Sequence, residues 1–172
     1  LKNFIYVLNR PAFGSTFFNS FLVSTLTVLF CLLIALTASY ALGRIQFKGR
    51  TVLLLGILGT SMFPQVAILS GMFELVRSLG VYNTYQGLIM SYVVFSLPFT
   101  VWILTAFIRD LPIEIEEAAM VDGANSYVIL FKVFLPLMWP AMVTTGILAF
   151  IGAWNEFLFA LTLTQSFSKK VY

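Results

Sequence analysis

Charged side chains in this chain occur at a few short stations, and four long runs between them carry none. No Asp, Glu, Lys or Arg lies between Arg10 and Arg44, Arg50 and Glu74, Arg77 and Arg109, or Lys132 and Glu156. A helix needs about 20 apolar residues to cross a hydrocarbon layer about 30 Å thick, and each run is long enough. Backbone polar groups in lipid must be satisfied within the segment, which points to helices. The pattern predicts membrane-crossing helices over about 16–40, 52–73, 86–108 and 134–155. The expected fold class is all-α, a polytopic transmembrane helical bundle.

Proline and glycine punctuate these runs. Pro64, Pro98, Pro136 and Pro140 lie inside or beside them, and Gly56, Gly59, Gly71, Gly87, Gly146 and Gly152 recur along them. Both residues are commoner in membrane helices than in soluble ones, and small residues allow close helix approach. Bundle packing accounts for them; a functional hinge is the sharper alternative. Asn19, Gln65, Asn83 and Asn155 are expected to face protein or a cavity rather than lipid.

Composition agrees with a lipid environment. Of 172 residues 60% are hydrophobic and 10% charged, against about 25% charged in a soluble domain. The formal charge of +3 is scattered, which speaks against nucleic acid as a partner. Cys31 is the one cysteine, suited to packing or lipid contact. The chain opens Leu1-Lys2-Asn3 and ends Val171-Tyr172, and reads as an excerpt of a longer protein within a single domain spanning 1–172. Enzyme chemistry finds little support. There is no histidine, no phosphate-binding loop of the G-x-x-x-x-G-K-[ST] kind, and no pair of intramembrane aspartates.

The segment 109–132 holds five of the seven acids: Asp110, Glu114, Glu116, Glu117 and Asp122. Pro112 suits the first turn of a helix, and Glu114 and Glu116 suit the positive end of its dipole. Glu116 to Met120 are strong helix formers, Gly123 can take the left-handed conformation that ends a helix, and Asn125 or Ser126 can cap the next one. Two short helices joined at a glycine turn are expected. Paired alanines would let another backbone come close, and Glu117 offers an acceptor-only carboxylate suited to an arginine fork. By residue chemistry alone this segment is either a self-contained amphipathic hairpin on the bilayer or a docking surface.

The spacing adds a resemblance. Glu117-Ala118-Ala119, three residues, Gly123, nine residues, Val133, one residue, Leu135-Pro136 resembles the EAA motif of binding-protein-dependent ABC importer permeases. Val133 stands where that motif usually has isoleucine, a swap that keeps a β-branched apolar side chain. Asn19-Ser20, Leu79-Gly80-Val81-Tyr82-Asn83-Thr84, Asp122-Gly123-Ala124 and Trp154-Asn155-Glu156-Phe157 are similar to features of the maltose-type carbohydrate branch.

The resemblance implies a permease subunit without catalytic, cofactor or metal sites of its own, with ATP used by a partner. It implies a docking helix for the ATPase subunit at Glu117, Ala118, Ala119, Asp122 and Gly123, with Val133, Leu135 and Pro136 as the motif's tail. The partners implied are an ATPase dimer, a second permease that is commonly a different chain, an extracytoplasmic solute-binding protein and the bilayer of a bacterial inner membrane. It further implies six spans in the whole protein, one before residue 1 and one after residue 172. Charge counting places the 43–50 turn, with Arg44, Lys48 and Arg50, in the cytoplasm by its density, although basic residues divide five against five overall. The resemblance puts the 109–132 loop on that side too, with both ends of this chain outside. An ion-coupled secondary carrier using Glu156 is the alternative function, since carboxylates near membranes often mark ion routes. Glu156 in contact with interfacial water is the plainer reading of that residue.

Overall fold

A computed structural model describes residue 6 and residues 11–164. Its elements are α1 (Pro11–Gly43), α2 (Arg50–Thr60), α3 (Gln65–Ser78), α4 (Tyr85–Asp110), α5 (Ile113–Val121), α6 (Ser126–Leu137), α7 (Trp139–Trp154) and α8 (Leu158–Leu163). The described residues contain no strand. The chain is an all-helical, multi-span membrane protein.

Two of the four expected spans are continuous helices, α1 and α4. Each overruns its expected bounds slightly, as helix ends commonly do. The other two are broken pairs, and the breaks fall at prolines. The run expected over 52–73 stops at Thr60 and restarts at Gln65 after Pro64, which is extended with ψ 130°. The run expected from residue 134 begins earlier, at Ser126, and bends by 76° at Met138. Pro136 and Pro140 flank that bend. Each lacks an N–H and crowds the carbonyl four residues back, so a regular ladder cannot run through both. Upstream of Pro136 the helix widens into a π-helix over Ile129–Phe134. Such widening inside a helix often accompanies function or strain. By length and composition, the described residues hold two unbroken spans, and up to four if each broken pair crosses once.

The chain divides into two compact units. Among described residues the first comprises 6, 11–28, 63–95 and 150–164. Its core holds Val23, Val76, Leu88, Phe159, Ala160 and Leu163. Two polar contacts tie it together: the Tyr85 hydroxyl donates to Asn19 Oδ1 at 3.0 Å, and Gln65 donates to Glu156 at 2.9 Å. Asn83 takes a left-handed φ of 58° and donates its backbone N–H to Leu163 at 3.1 Å. Asn155, by contrast, is exposed on this chain.

The second unit comprises 29–62 and 96–149. Ala35, Leu36, Leu104, Ile108, Ile129, Phe134 and Met138 form its core. Cys31 is buried there, its thiol 3.4 Å from Thr100 Oγ1, so it packs against protein rather than lipid. Many large apolar side chains of α1, including Phe30, Leu33 and Ile34, remain exposed, as a lipid-facing surface requires.

At one end of this unit α1 and α4 come into close contact. A Cβ on Gly43 would sit 2.6 Å from Ile108 Cγ2, so only glycine allows this approach without movement. Two arginines then cap the opposite helix across the junction. Arg109 donates to the Leu42 carbonyl at 3.1 Å, and Arg44 donates to the Leu111 carbonyl at 2.6 Å. Each carbonyl lies at a helix end, where the ladder leaves it without an intrahelical donor.

Gly43→Ala is therefore expected to destabilise the protein by about 1–3 kcal/mol through overpacking. Gly56→Ala, where a Cβ meets nothing within 4 Å in this chain, should cost nothing comparable. Thermal unfolding of the two purified variants in detergent checks the difference.

Candidate functional site

The loop between α4 and α6 folds from its sequence as short-range rules require. Pro112 stands immediately before α5 rather than within its first turn, with φ −57° and ψ 135°. Its ring fixes φ and its missing N–H leaves no donor stranded. Glu114 and Glu116 fall in the first turn of α5, near its positive end. The helix stops at Gly123, whose φ of 83° is open to glycine at little cost. The Ala124 N–H reaches the Ala119 carbonyl at 2.9 Å and the Gly123 N–H reaches Met120 at 3.0 Å. This pair of bonds is the Schellman closure of a helix end. A Cβ on Gly123 would meet nothing within 4 Å, so its backbone angle and not its size is what the turn needs. Asn125 then caps α6, its side chain accepting from the Val128 N–H at 2.9 Å.

The faces of α5 divide sharply. Glu117, Ala118, Met120, Val121, Asp122 and Gly123 are exposed, and Val121 is 88% exposed. Glu117, Met120 and Val121 follow the i, i+3, i+4 spacing and form one outward patch, an acidic group beside apolar side chains. Ala119 points the other way and packs against the second unit's core. In the motif's tail Val133 and Leu135 also pack against that core, and Pro136 is exposed.

Glu116, which the sequence marks only as a first-turn acid, is the buried member. It is 7% exposed, and its partners come from the end of α1. The Tyr40 hydroxyl donates to its Oε1 at 3.0 Å, and Arg44 Nε lies 3.5 Å from its Oε2. That second contact is an ion pair and not a hydrogen bond, since Arg44 Nε has no hydrogen-bond acceptor. The Arg44 guanidinium also sits over the Phe134 ring, 5.2 Å from its centroid, and Tyr40 packs on the same ring at 5.6 Å. One cluster thus joins α1, α5 and the π-helical part of α6. It also brings the 43–50 turn and the 109–123 loop to the same end of their unit.

Glu156 is placed by a different job. Its Oε1 and Oε2 accept from the Phe159 N–H at 3.1 and 3.0 Å, and Oε2 accepts from the Ala160 N–H at 3.3 Å. Gln65 donates to Oε1 as well. The carboxylate caps α8 and ties α3 to it, which is neither plain hydration nor an open ion site. Among the described residues no group of His, Cys, Asp or Glu could hold a metal ion.

The family model described as binding-protein-dependent transport system inner membrane component matches residues 16–168. The chain belongs to that family. It is 42% identical over 166 residues to the trehalose/maltose transport system permease protein of Thermococcus litoralis, covering 95% of this chain and 60% of that protein. It is 39% identical over 166 residues to the sulfoquinovosyl glycerol transport system permease protein of Agrobacterium fabrum, covering 96% of this chain and 58% of that one. In structure it resembles a bacterial ABC transporter involved in import of the acidic polysaccharide alginate. That match has a TM-score of 0.85 at 27% identity, over 95% of this chain and 57% of the other. The chain therefore spans about three-fifths of the curated relatives it matches.

Removing the carboxylate in Glu156→Ala should cost about 1–2 kcal/mol, as loss of a helix cap does. Asn155→Ala, at the exposed neighbour, should leave the melting temperature unchanged; unfolding of both purified variants tests this.

Proposed function

We propose that this chain is the central part of a permease subunit that lines the import path of an ATP-driven sugar transporter. The observation that carries the reading is the outward face of α5. A rigid short helix is closed by a glycine turn and held to the chain's own core, and it presents Glu117, Ala118, Met120 and Val121 outward. A carboxylate that only accepts suits the planar fork of an arginine on a partner ATPase. Ala118 offers no bulk to keep that partner's backbone away. Asp122 and Gly123 end the same face, and Ala119 lets α5 lie close to the core beneath it.

In this reading the ATPase subunits bind and hydrolyse ATP, and this chain performs no covalent chemistry and holds no cofactor. A second permease, commonly a different chain, completes the path, and an extracytoplasmic solute-binding protein delivers a sugar or oligosaccharide. The α5 end faces the cytoplasm of a bacterial cell whose inner membrane the spans cross. Relatives named for trehalose/maltose and sulfoquinovosyl glycerol transport support a carbohydrate cargo. An ion-coupled carrier built on Glu156 gains nothing from the geometry, because backbone and amide donors already occupy that carboxylate.

Glu117→Lys should weaken association with the ATPase by about tenfold or more, the scale of a lost charge-assisted contact replaced by repulsion. Membrane insertion should be unchanged, because Glu117 is exposed. Copurification of the tagged permease with its ATPase measures this. Sugar uptake in cells should stop when ATP is depleted and continue in the presence of a protonophore; the opposite pattern would reject the importer.

A further inference from the structure

A docking helix is useful only if its displacement reaches the membrane spans. Two features of α5 bear on how that happens. Its outward face is available for a partner, and its inward face carries one ionic group, Glu116, buried beside Tyr40 and Arg44, which in turn rest on Phe134 of α6. We infer that Tyr40, Arg44 and Glu116 form the latch that makes α5, the end of α1 and the start of α6 move as one body. The inference rests on the permease reading above and names the residues through which its motion is transmitted.

What the buried cluster adds to α5 is stiffness. Apolar contacts alone let a nine-residue helix slide or roll on its bed at little cost, because they have no fixed direction. The hydroxyl hydrogen bond to the buried carboxylate at 3.0 Å is directional, and the ion pair with the guanidinium at 3.5 Å adds the cost of separating two charges out of water. Moving Glu116 off its partners would leave a charge buried and unpaired, which is far more costly than losing a surface contact. Arg44 extends the grip. Besides Glu116 it holds the Leu111 carbonyl, in the link that leads into α5, at 2.6 Å, and it covers Phe134. One side chain at the end of a span thus touches the link before α5, α5 itself and the helix after it. Glu116 and Glu117 are neighbours in sequence with opposite assignments: one faces the partner, the other the spans.

The expected consequence separates transmission from docking. In the full transporter reconstituted with its ATPase, second permease and solute-binding protein, the readouts are copurification of the ATPase and stimulation of ATP hydrolysis by the binding protein. Glu116→Ala and Tyr40→Phe should both retain the ATPase. Stimulation should fall by about fivefold or more in Glu116→Ala, the lower end of usual coupling between sites, and by less in Tyr40→Phe. Glu116→Gln keeps an oxygen for Tyr40 and should retain more stimulation than Glu116→Ala. Full stimulation in Glu116→Ala and Tyr40→Phe, with normal assembly, would overturn the latch and leave the permease reading standing. So would loss of the ATPase from Glu116→Ala with Tyr40→Phe unaffected, since Glu116 would then serve docking. If Glu117→Lys also left ATPase association untouched, the docking reading itself would fall, and the latch with it.

Discussion

A carboxylate taken out of water needs partners that stay in place, and in the second unit the arrangement around α5 follows from meeting that need at Glu116. Tyr40 lies in the last turn of α1 and Arg44 one turn on, just past its end, so both reach the same side chain. They can do so only because α1 runs on past its apolar stretch to Gly43, and because Gly43 lets α4 lie against it. Arg109 and Arg44 then close the two helix ends on each other's carbonyls. The link into α5 is thereby short and fixed, and Glu116 is brought to its partners by the first turn of the helix itself. Removing one partner from such a pair typically costs about 3–5 kcal/mol, more than the loss of any one exposed contact on α5.

The second constraint is lipid. Backbone groups in hydrocarbon need partners, which explains why the long apolar runs are helices, but it does not require each run to be one straight helix. Pro64, Pro136 and Pro140 interrupt two of them. Irregular backbone at membrane depth is tolerated where protein or a watery path surrounds it. Broken helices are therefore in keeping with a chain that lines a path, whereas plain anchors would have no use for them. The π-helical stretch before Pro136 ends in Phe134, the ring on which both Tyr40 and Arg44 rest.

How much of this was legible in the sequence depended on the range of the interaction. Charge-free runs located α1 and α4 because hydropathy is summed over many residues. The Gly123 turn and the Asn125 cap were legible because a cap involves residues three or four apart. The breaks at residues 61–64 and 138 were not, since a proline in a membrane helix can be absorbed or can end it, and neighbouring packing decides which. The pairing of Glu116 with Tyr40 spans 76 residues, and no local pattern announces it. The faint signal was that Glu116 shares a helical face with Ala119 while Glu117 shares one with Met120 and Val121. Glu156 illustrates the reverse error, a carboxylate near a span that invited an ion-route reading and turns out to cap α8.

The most direct test of the latch is a distance measured through the ATP cycle. Spin labels at Glu114→Cys on α5 and Lys48→Cys just beyond α1 would sit on exposed positions, and the native Cys31 is buried away from the reagent. Pulsed electron paramagnetic resonance on the assembled transporter should give the same distance distribution without nucleotide and with ATP bound, because both labels ride on one body. A distribution that shifts between the two states would show α5 moving independently of α1, and would contradict the account.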